Sequence, residues 1–457
     1  MDEAQPTARL ARFVQATEPG VLPAGVAAHT RTLILDAVGC ALAGWAAEEL
    51  PQIDQAERAL AGSGDSTIIG ADRTSSMLGA VFQNAYLTTG ITACDVYTPA
   101  HFHVTPEVVP VALAIAEQRH LTGRELIAGV AAGGEVATRL AGSLDYAEFR
   151  RRGWHAPGII GPIGAAATAA KLMGLDAVGT RRAMSLAVSQ AGGTFASWPT
   201  AAVKFHQCRG AVSGLLAGLL AEQGFEASSE PLMAEDGGLW ASYAPGDVAA
   251  LTAGLGERWE LQNISLRMWP GATPVQALLT ALLTDPTTQG IGAQEVRSMD
   301  IAVAPATYSS HRELARPHGA FEALLSFHFA AASALRDGRF GVDSIRPSAY
   351  EDPDLLRFID ERIRLTPDER VPRGGVHLRL SLADGRTLSV RQDHALGTPH
   401  EPMTASQAEA KFRAFAGTRL PPDRTEKLLV LMRDLDTVRD CADLLALTRS
   451  AAKSKER

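Results

Sequence analysis

"PEVVPVALAIAEQRHLTGRELIAGVAAGGEVATRLAG" occupies residues 106–142. It opens on prolines and runs into apolar residues at helical spacing. It then restarts at Thr122-Gly-Arg-Glu125, the pattern in which a threonine and a glutamate three residues on cap each other's backbone. Two helices joined by a short loop are expected, and the loop makes them antiparallel neighbours. The second is rich in alanine and glycine. Small residues at helical spacing let helix backbones approach closely.

The same texture extends outward on both sides. "AGVAAHTRTLILDAVGCALAG" predicts a helix ending near Gly44. "GPIGAAATAAKLMGL" and "DAVGTRRAMSLAVSQAG" predict another pair, and "CRGAVSGLLAGLLAEQGF" a further helix. After about Ser265 the pattern changes. "EVRSMDIAVAPAT" alternates like a strand, and "VHLRLSLADGRTLSVRQDH" reads as two strands around Ala-Asp-Gly. "HGAFEALLSFHFAAASALRDG" between them reads as one helix closing at Gly338. Helix returns from Pro402 to the end, where Ser454–Arg457 is expected to fray. The expected fold is therefore mainly α with an α+β lid. Residues 1–264 and 401–457 form a large discontinuous all-helical domain, and 265–400 a smaller α+β domain.

Bulk properties exclude some functions. The 457 residues carry 43 Lys and Arg against 51 Asp and Glu, a net charge of −8. A nucleic-acid partner is not expected, because phosphate binding needs a basic face. The four cysteines are dispersed without a CxxC pair, which argues against a zinc ribbon or a disulfide scaffold. The polar N-terminus does not read as a signal peptide, and no apolar run was expected to reach membrane-span length. A cytoplasmic location and no membrane partner are expected. There is no GxxxxGK[ST] loop, no HExxH and no GxSxG motif.

Three segments concentrate titratable groups. "CDVYTPAHFHVTPEVVP" (94–110) holds Asp95, Tyr97, His101 and His103. His101-x-His103 has the alternation of some metal ligands, with Asp95 as a further donor. An acid/base loop or a polar loop without chemistry fits equally. "RRGWHAPGIIGPIGAAA" places His155 just before a helix whose N-terminus favours an anion, although a plain turn histidine fits too. "WPTAAVKFHQCRG" puts Lys204, His206 and Arg209 at the start of another helix, where cations oppose the macrodipole. That conflict suits a polycarboxylate, or else a solvated basic corner.

Together, "LILDAVGCALAG" (33–44), the 106–142 stretch, "GWHAPGIIGPIGAAATAAKLMGLDA" (153–177), "KFHQCRGAVSGLLAGLLAEQGF" (204–225) and "EAKFRAFAG" (409–417) resemble the MmgE/PrpD family in order along nearly the whole chain. The resemblance implies a helical domain with a lid, a homodimer, a site between the two parts, and lyase chemistry on small carboxylates. It implies no cofactor and no metal. It assigns His103, His155, Asp95 and Lys204 to catalysis. His101, His206, Arg209, Thr273, His318 and Tyr97 fall to substrate binding. The chain departs from the family pattern at several points. Thr92, Ala93 and Cys94 stand where three residues of an acidic stretch are expected, leaving Asp95. Val203 holds the lysine position and Lys204 comes one residue late, a rotation of about 100° on a helix. "MWPGATPVQALL" lacks the lid histidine, with Thr273 near its place and His318 as a substitute. A lyase performing dehydration or decarboxylation is the first expectation. An isomerase or epimerase on the same scaffold, or a repurposed non-catalytic member, are the alternatives.

Overall fold

The computed structural model describes residues 5–198 and 200–450, so the first four residues and the terminal SKER stretch lie outside it. The principal helices of the first part are α1 (Ala24–Ala43), α2 (Met77–Thr89), α3 (Thr105–Gln118), α4 (Gly123–Ser143), α5 (Ala156–Leu172), α6 (Ala177–Val188) and α7 (Ala202–Glu222). The expected cap of α4 is present. Thr122 Oγ1 accepts from the Glu125 N–H, and Glu125 reaches back to the Thr122 N–H. Helix α5 lies between α4 and α7, and it packs against both. Close approach makes this possible. A Cβ on Gly133 of α4 would collide with Thr168 of α5, and one on Gly214 of α7 with Ala165.

Helix α1 corrects one sequence expectation. It is long and apolar enough, by length and composition, to cross a membrane. Its apolar surface is instead largely covered by α2, α3 and α4 and by a later helix, so it serves as a core element. A helix buried on most faces loses the polar stripe that marks an amphipathic one.

The later chain supplies α8 (Thr273–Leu283), β1 (Val296–Val303), α9 (Phe327–Asp337), α10 (Pro353–Arg362), β2 (Ile363–Pro367), β3 (Val376–Leu382), β4 (Thr387–Gln392), α11 (Ala405–Ala416), α12 (Pro422–Arg433) and α13 (Cys441–Thr448). The sheet has the order β2-β1-β3-β4. Strands β1 and β2 are parallel, with Met299 opposite Ile363, while β3 pairs antiparallel with β1 and with β4. The Ala383-Asp384-Gly385 turn closes the expected hairpin. In β3, Val376, Leu378, Leu380 and Leu382 point inward, the period-two pattern of a half-buried strand. The single helix expected from His318 to Gly338 is interrupted. Ser326 accepts from the Phe329 N–H and so starts α9 afresh. Gly338, in the left-handed region at φ 64°, ends it.

Two hydrophobic cores result. One joins residues of the first part with α11, α12 and α13, and the other fills the space between the sheet, α8 and α9. A buried ion pair stitches their border. Lys411 of α11 donates to Asp36 of α1 and to the Ala93 carbonyl at 2.8 Å. Both side chains are almost fully buried. Removing one member of such a pair strands the other charge in a medium of low polarity. Lys411→Met is expected to cost about 3–5 kcal/mol in urea unfolding. The double change Lys411→Met with Asp36→Leu should recover most of that loss.

Candidate active site

Three helix N-termini converge beside the border of the two cores. His103 lies just before α3, His155 is the residue preceding the first turn of α5, and His206 lies in the first two turns of α7. The local sequence dictates each start. Asp95 takes the place of a capping side chain for α3. Its carboxylate accepts the N–H groups of Val104 and Thr105, both at 2.9 Å, and the Thr105 hydroxyl. Pro157 sets the first turn of α5, where its missing N–H is not needed.

His103 Nδ1 lies 2.6 Å from the Asp95 carbonyl oxygen. A carbonyl only accepts, so Nδ1 carries the proton and Nε2 presents a lone pair. Burial, reinforced by the nearby Arg267 cation, pushes the His103 pKa down to about 3. His155 and His206 face each other through their Nδ1 atoms at 2.8 Å. One of these nitrogens donates and the other accepts, so the two rings hold opposite tautomers. Burial lowers both pKa values, with His206 and His103 adding repulsion at His155 and Arg209 adding it at His206. The cluster is thus held neutral.

The Arg267 charge acts on His103 and the Arg209 charge on His206. Lys204 is buried, donates to the Gly90 carbonyl at 2.6 Å, and lies 3.6 Å from Glu49 and 5.0 Å from the Phe321 ring centroid. Burial lowers its pKa while Glu49 counteracts. Lys204 and His206 are therefore parts of a packed site and not of a solvated basic corner. Arg267, absent from the sequence reading, is also buried. It donates to the Cys94 carbonyl at 2.6 Å, to the Cys94 sulfur at 3.2 Å and to the Gly271 carbonyl at 3.3 Å. Its signal was available: a lone arginine between apolar residues in "SLRMWPG", where the chain crosses from one core to the other. Phe195, Trp198 and Phe321 form an aromatic arc over the site. Phe195 stacks on Trp198 at 5.6 Å, and Trp198 meets Phe321 edge-on at 6.1 Å. The His155 ring lies 5.7 Å from Phe195.

Several sequence assignments change. Asp95 is fully buried with both oxygens occupied by the α3 cap, so it positions His103 and is not free to move protons. Arg209 donates to the carbonyls of Gln190, Gly158 and Gly192, clamping the 190–193 loop against α5 in place of binding carboxylate. Tyr97 turns its hydroxyl to Glu260 at 3.3 Å, away from the histidines. His101 adopts φ 43°, and its ring lies 5.8 Å from Tyr146. Burial and the Arg373 and Arg150 charges push its pKa down to about 4. Thr273 is half-buried at the start of α8, following Gly271 and Ala272. His318 is exposed, with its backbone N–H donating to Glu322. No cluster of metal-ligating side chains occurs among the described residues.

A mainly helical, two-core protein with three buried histidines grouped at helix starts is what this fold and site define. The N-terminal domain of the MmgE/PrpD family matches residues 8–251, and its C-terminal domain matches 270–437. The chain belongs to the MmgE/PrpD family. Among curated relatives, a cis-aconitate decarboxylase of Mus musculus is 25% identical, covering 98% of this chain and 94% of its own length. One of Homo sapiens is 26% identical, with 97% and 94% covered, and one of Aspergillus terreus is 25% identical, with 95% and 94% covered.

The depressed His103 pKa has a stability consequence. Between the unfolded value near 6.5 and about 3, the unfolded chain binds a proton that the folded chain refuses. The contribution is complete above pH 6.5 and is lost as pH falls toward 3. His103→Gln should therefore flatten the decline of melting temperature between pH 6.5 and 4.5, read by thermal unfolding at stepped pH.

Proposed function

We propose that the protein is a cofactor-independent lyase that removes CO2 or water from a small di- or tricarboxylate, with decarboxylation of a cis-aconitate-like substrate as the leading reaction. The observation that carries this reading is the grouping of three neutral imidazoles at three helix starts, with the Arg267 charge beside His103 and the buried Lys204 two residues before His206 on α7. Helix N-termini and cations favour bound carboxylates. Negative charge brought by substrate carboxylates raises the pKa of a buried imidazole toward neutrality, where it can exchange protons. The names of the curated relatives point to the same substrate class.

The chemistry follows from the placement. Lys204, Arg267 and the positive end of the α5 dipole hold the carboxylates that remain. Loss of CO2 leaves an electron pair that an adjacent unsaturated carboxylate takes up as an enolate-like anion. The cationic surround lowers the energy of that anion. A protonated imidazole of the His103–His155–His206 group then supplies the hydrogen that replaces the lost carboxyl group. In a dehydration, the same rings would take a proton from carbon and deliver one to the departing hydroxyl. The aromatic arc of Phe195, Trp198 and Phe321 keeps water from quenching the anion. The reading also includes a homodimer in the cytoplasm, which analytical ultracentrifugation tests for the oligomer.

The direct test is a substrate panel. Purified protein with cis-aconitate, 2-methylcitrate, citrate and related acids should release CO2 or water from at least one. His103→Ala and His155→Gln should each lower kcat by about 10²–10⁴-fold. Trp198→Ala should raise KM more than it lowers kcat. Absence of turnover across the panel, with His155→Gln indistinguishable from wild type, would refute the proposal.

A further inference from the structure

One helical turn beneath the three histidines lies an acid that the proposed chemistry has not used. Glu107 belongs to the first turn of α3, four residues after His103. Its carboxyl group is fully buried, and neither oxygen has a hydrogen-bond partner. It fills a notch formed by two glycines. A Cβ on Gly161 of α5 would overlap the carboxyl group, and one on Gly210 of α7 would stand 2.9 Å from Oε1. Gly161 lies six residues after His155, and Gly210 four residues after His206. The same three helices that present the imidazoles therefore hold the carboxyl group between them, one layer deeper.

This placement is costly for stability alone. A buried carboxyl group without partners is destabilising, and helix packing at two glycines could have been filled by apolar side chains. The helix N-terminal N–H groups that could satisfy Glu107 are already taken by Asp95. The charged and titratable groups that face it are Arg209, Asp95 and the Cys208 thiol. Burial outweighs the attraction of Arg209, so Glu107 is held as a neutral acid.

We propose that Glu107 is the internal proton partner of the histidine cluster, charging an imidazole when an anionic substrate binds. The inference rests on the lyase reading above. In the empty site the imidazoles are neutral and Glu107 carries its proton. Substrate carboxylates above the imidazoles favour an imidazolium. The Glu107 O–H bond then breaks, an N–H bond forms on a ring nitrogen, and Glu107 is left as a carboxylate facing the Arg209 guanidinium. In this proposal a bridging water carries the proton between Glu107 and the imidazole layer. No net charge enters the protein, and the imidazolium needed for the final protonation is present without uptake from solvent. In a decarboxylation that proton leaves in the product, and the Glu107 carboxylate takes up its replacement from solvent once the product has gone.

Calorimetric titration with tricarballylate, a saturated tricarboxylate that cannot lose water or readily lose CO2, tests this. Binding is measured at pH 7 in HEPES and in Tris, whose ionisation enthalpies differ, so that proton uptake is read from the difference. Wild type is expected to bind with almost no proton uptake. Glu107→Gln cannot supply the proton and should take up close to one per site, with kcat lowered at least tenfold and KM little changed. Equal proton uptake by both proteins overturns the role of Glu107 while leaving the lyase reading to the substrate panel. Failure of wild type both to bind and to turn over any acid of the panel overturns the lyase reading, and this inference with it. Stability gives an independent check. The unfolded chain loses the Glu107 proton at a lower pH than the folded one, so the group weakens the fold as pH rises above about 4.3. Glu107→Gln and Glu107→Met should both melt above wild type at pH 8, by a margin that narrows toward pH 5. If both melt below wild type at pH 8, the carboxyl group serves the fold, and the proposal fails.

Discussion

Helix α5 lies in contact with both α4 and α7 through residues that have almost no side chain, and the geometry of the site follows from that closeness. Helices separated by leucine-sized side chains sit near the upper end of the usual 8–10 Å spacing. Glycine against alanine brings α5 and α7 nearer, as the Gly214–Ala165 contact shows. Only then can His155, before one helix, and His206, early in the other, come within 2.8 Å through their rings. A larger residue at Gly214 would push the helices apart and open the cluster before it touched any histidine. Core packing and chemistry are here the same constraint.

The convergence of helix N-termini also sets the electrostatics. Each contributes partial positive charge, and Lys204, Arg267 and Arg209 add full charges close by. Natural proteins usually offset such a concentration with nearby acids. Here Glu49 partly offsets Lys204, Asp36 pairs with the more distant Lys411, and Asp95 is absorbed into a helix cap. The surplus is positive, which reinforces the downward histidine shifts that burial sets and favours an anionic guest. Buried unpaired charge normally weakens a fold. Its retention beside titratable rings is the pattern expected where stability is given up for function.

Much of this was legible in the sequence because the relevant signals are local. The Thr122–Glu125 capping box, the β3–β4 hairpin and the alternation of β1 depend on residues within a few positions of each other. His103 and His155 were legible for a similar reason, since each stands directly before a proline-marked helix start. What was not legible depends on which way a side chain points in three dimensions. Arg209 resembled a carboxylate ligand until its three carbonyl acceptors were placed around it. Tyr97 resembled a site phenol, but its hydroxyl turns to Glu260. Helix α1 looked ordinary because its burial comes from helices far away in the chain. Arg267 shows locally only as a lone arginine among apolar residues, and its place in the site depends on Cys94, 173 residues away in the chain.

The retained acid of the 94–110 segment takes on a different meaning once its contacts are known. Asp95 caps α3 with its side chain and orients His103 with its carbonyl, so one residue fixes both the helix start and the tautomer of the base. Replacing that side chain would disturb chemistry only through position. In the proposed lyase, moving protons is left to groups that can change charge without unravelling a helix: three imidazoles in the upper layer and one unpaired carboxyl group below. An enclosed site of this kind gains from having donor and acceptor within the protein, because a proton drawn from solvent would require the aromatic arc to open while the reactive anion is present. In the proposed mechanism, the acid that balances an imidazolium is therefore Glu107 on α3, at the floor of the site between Gly161 and Gly210.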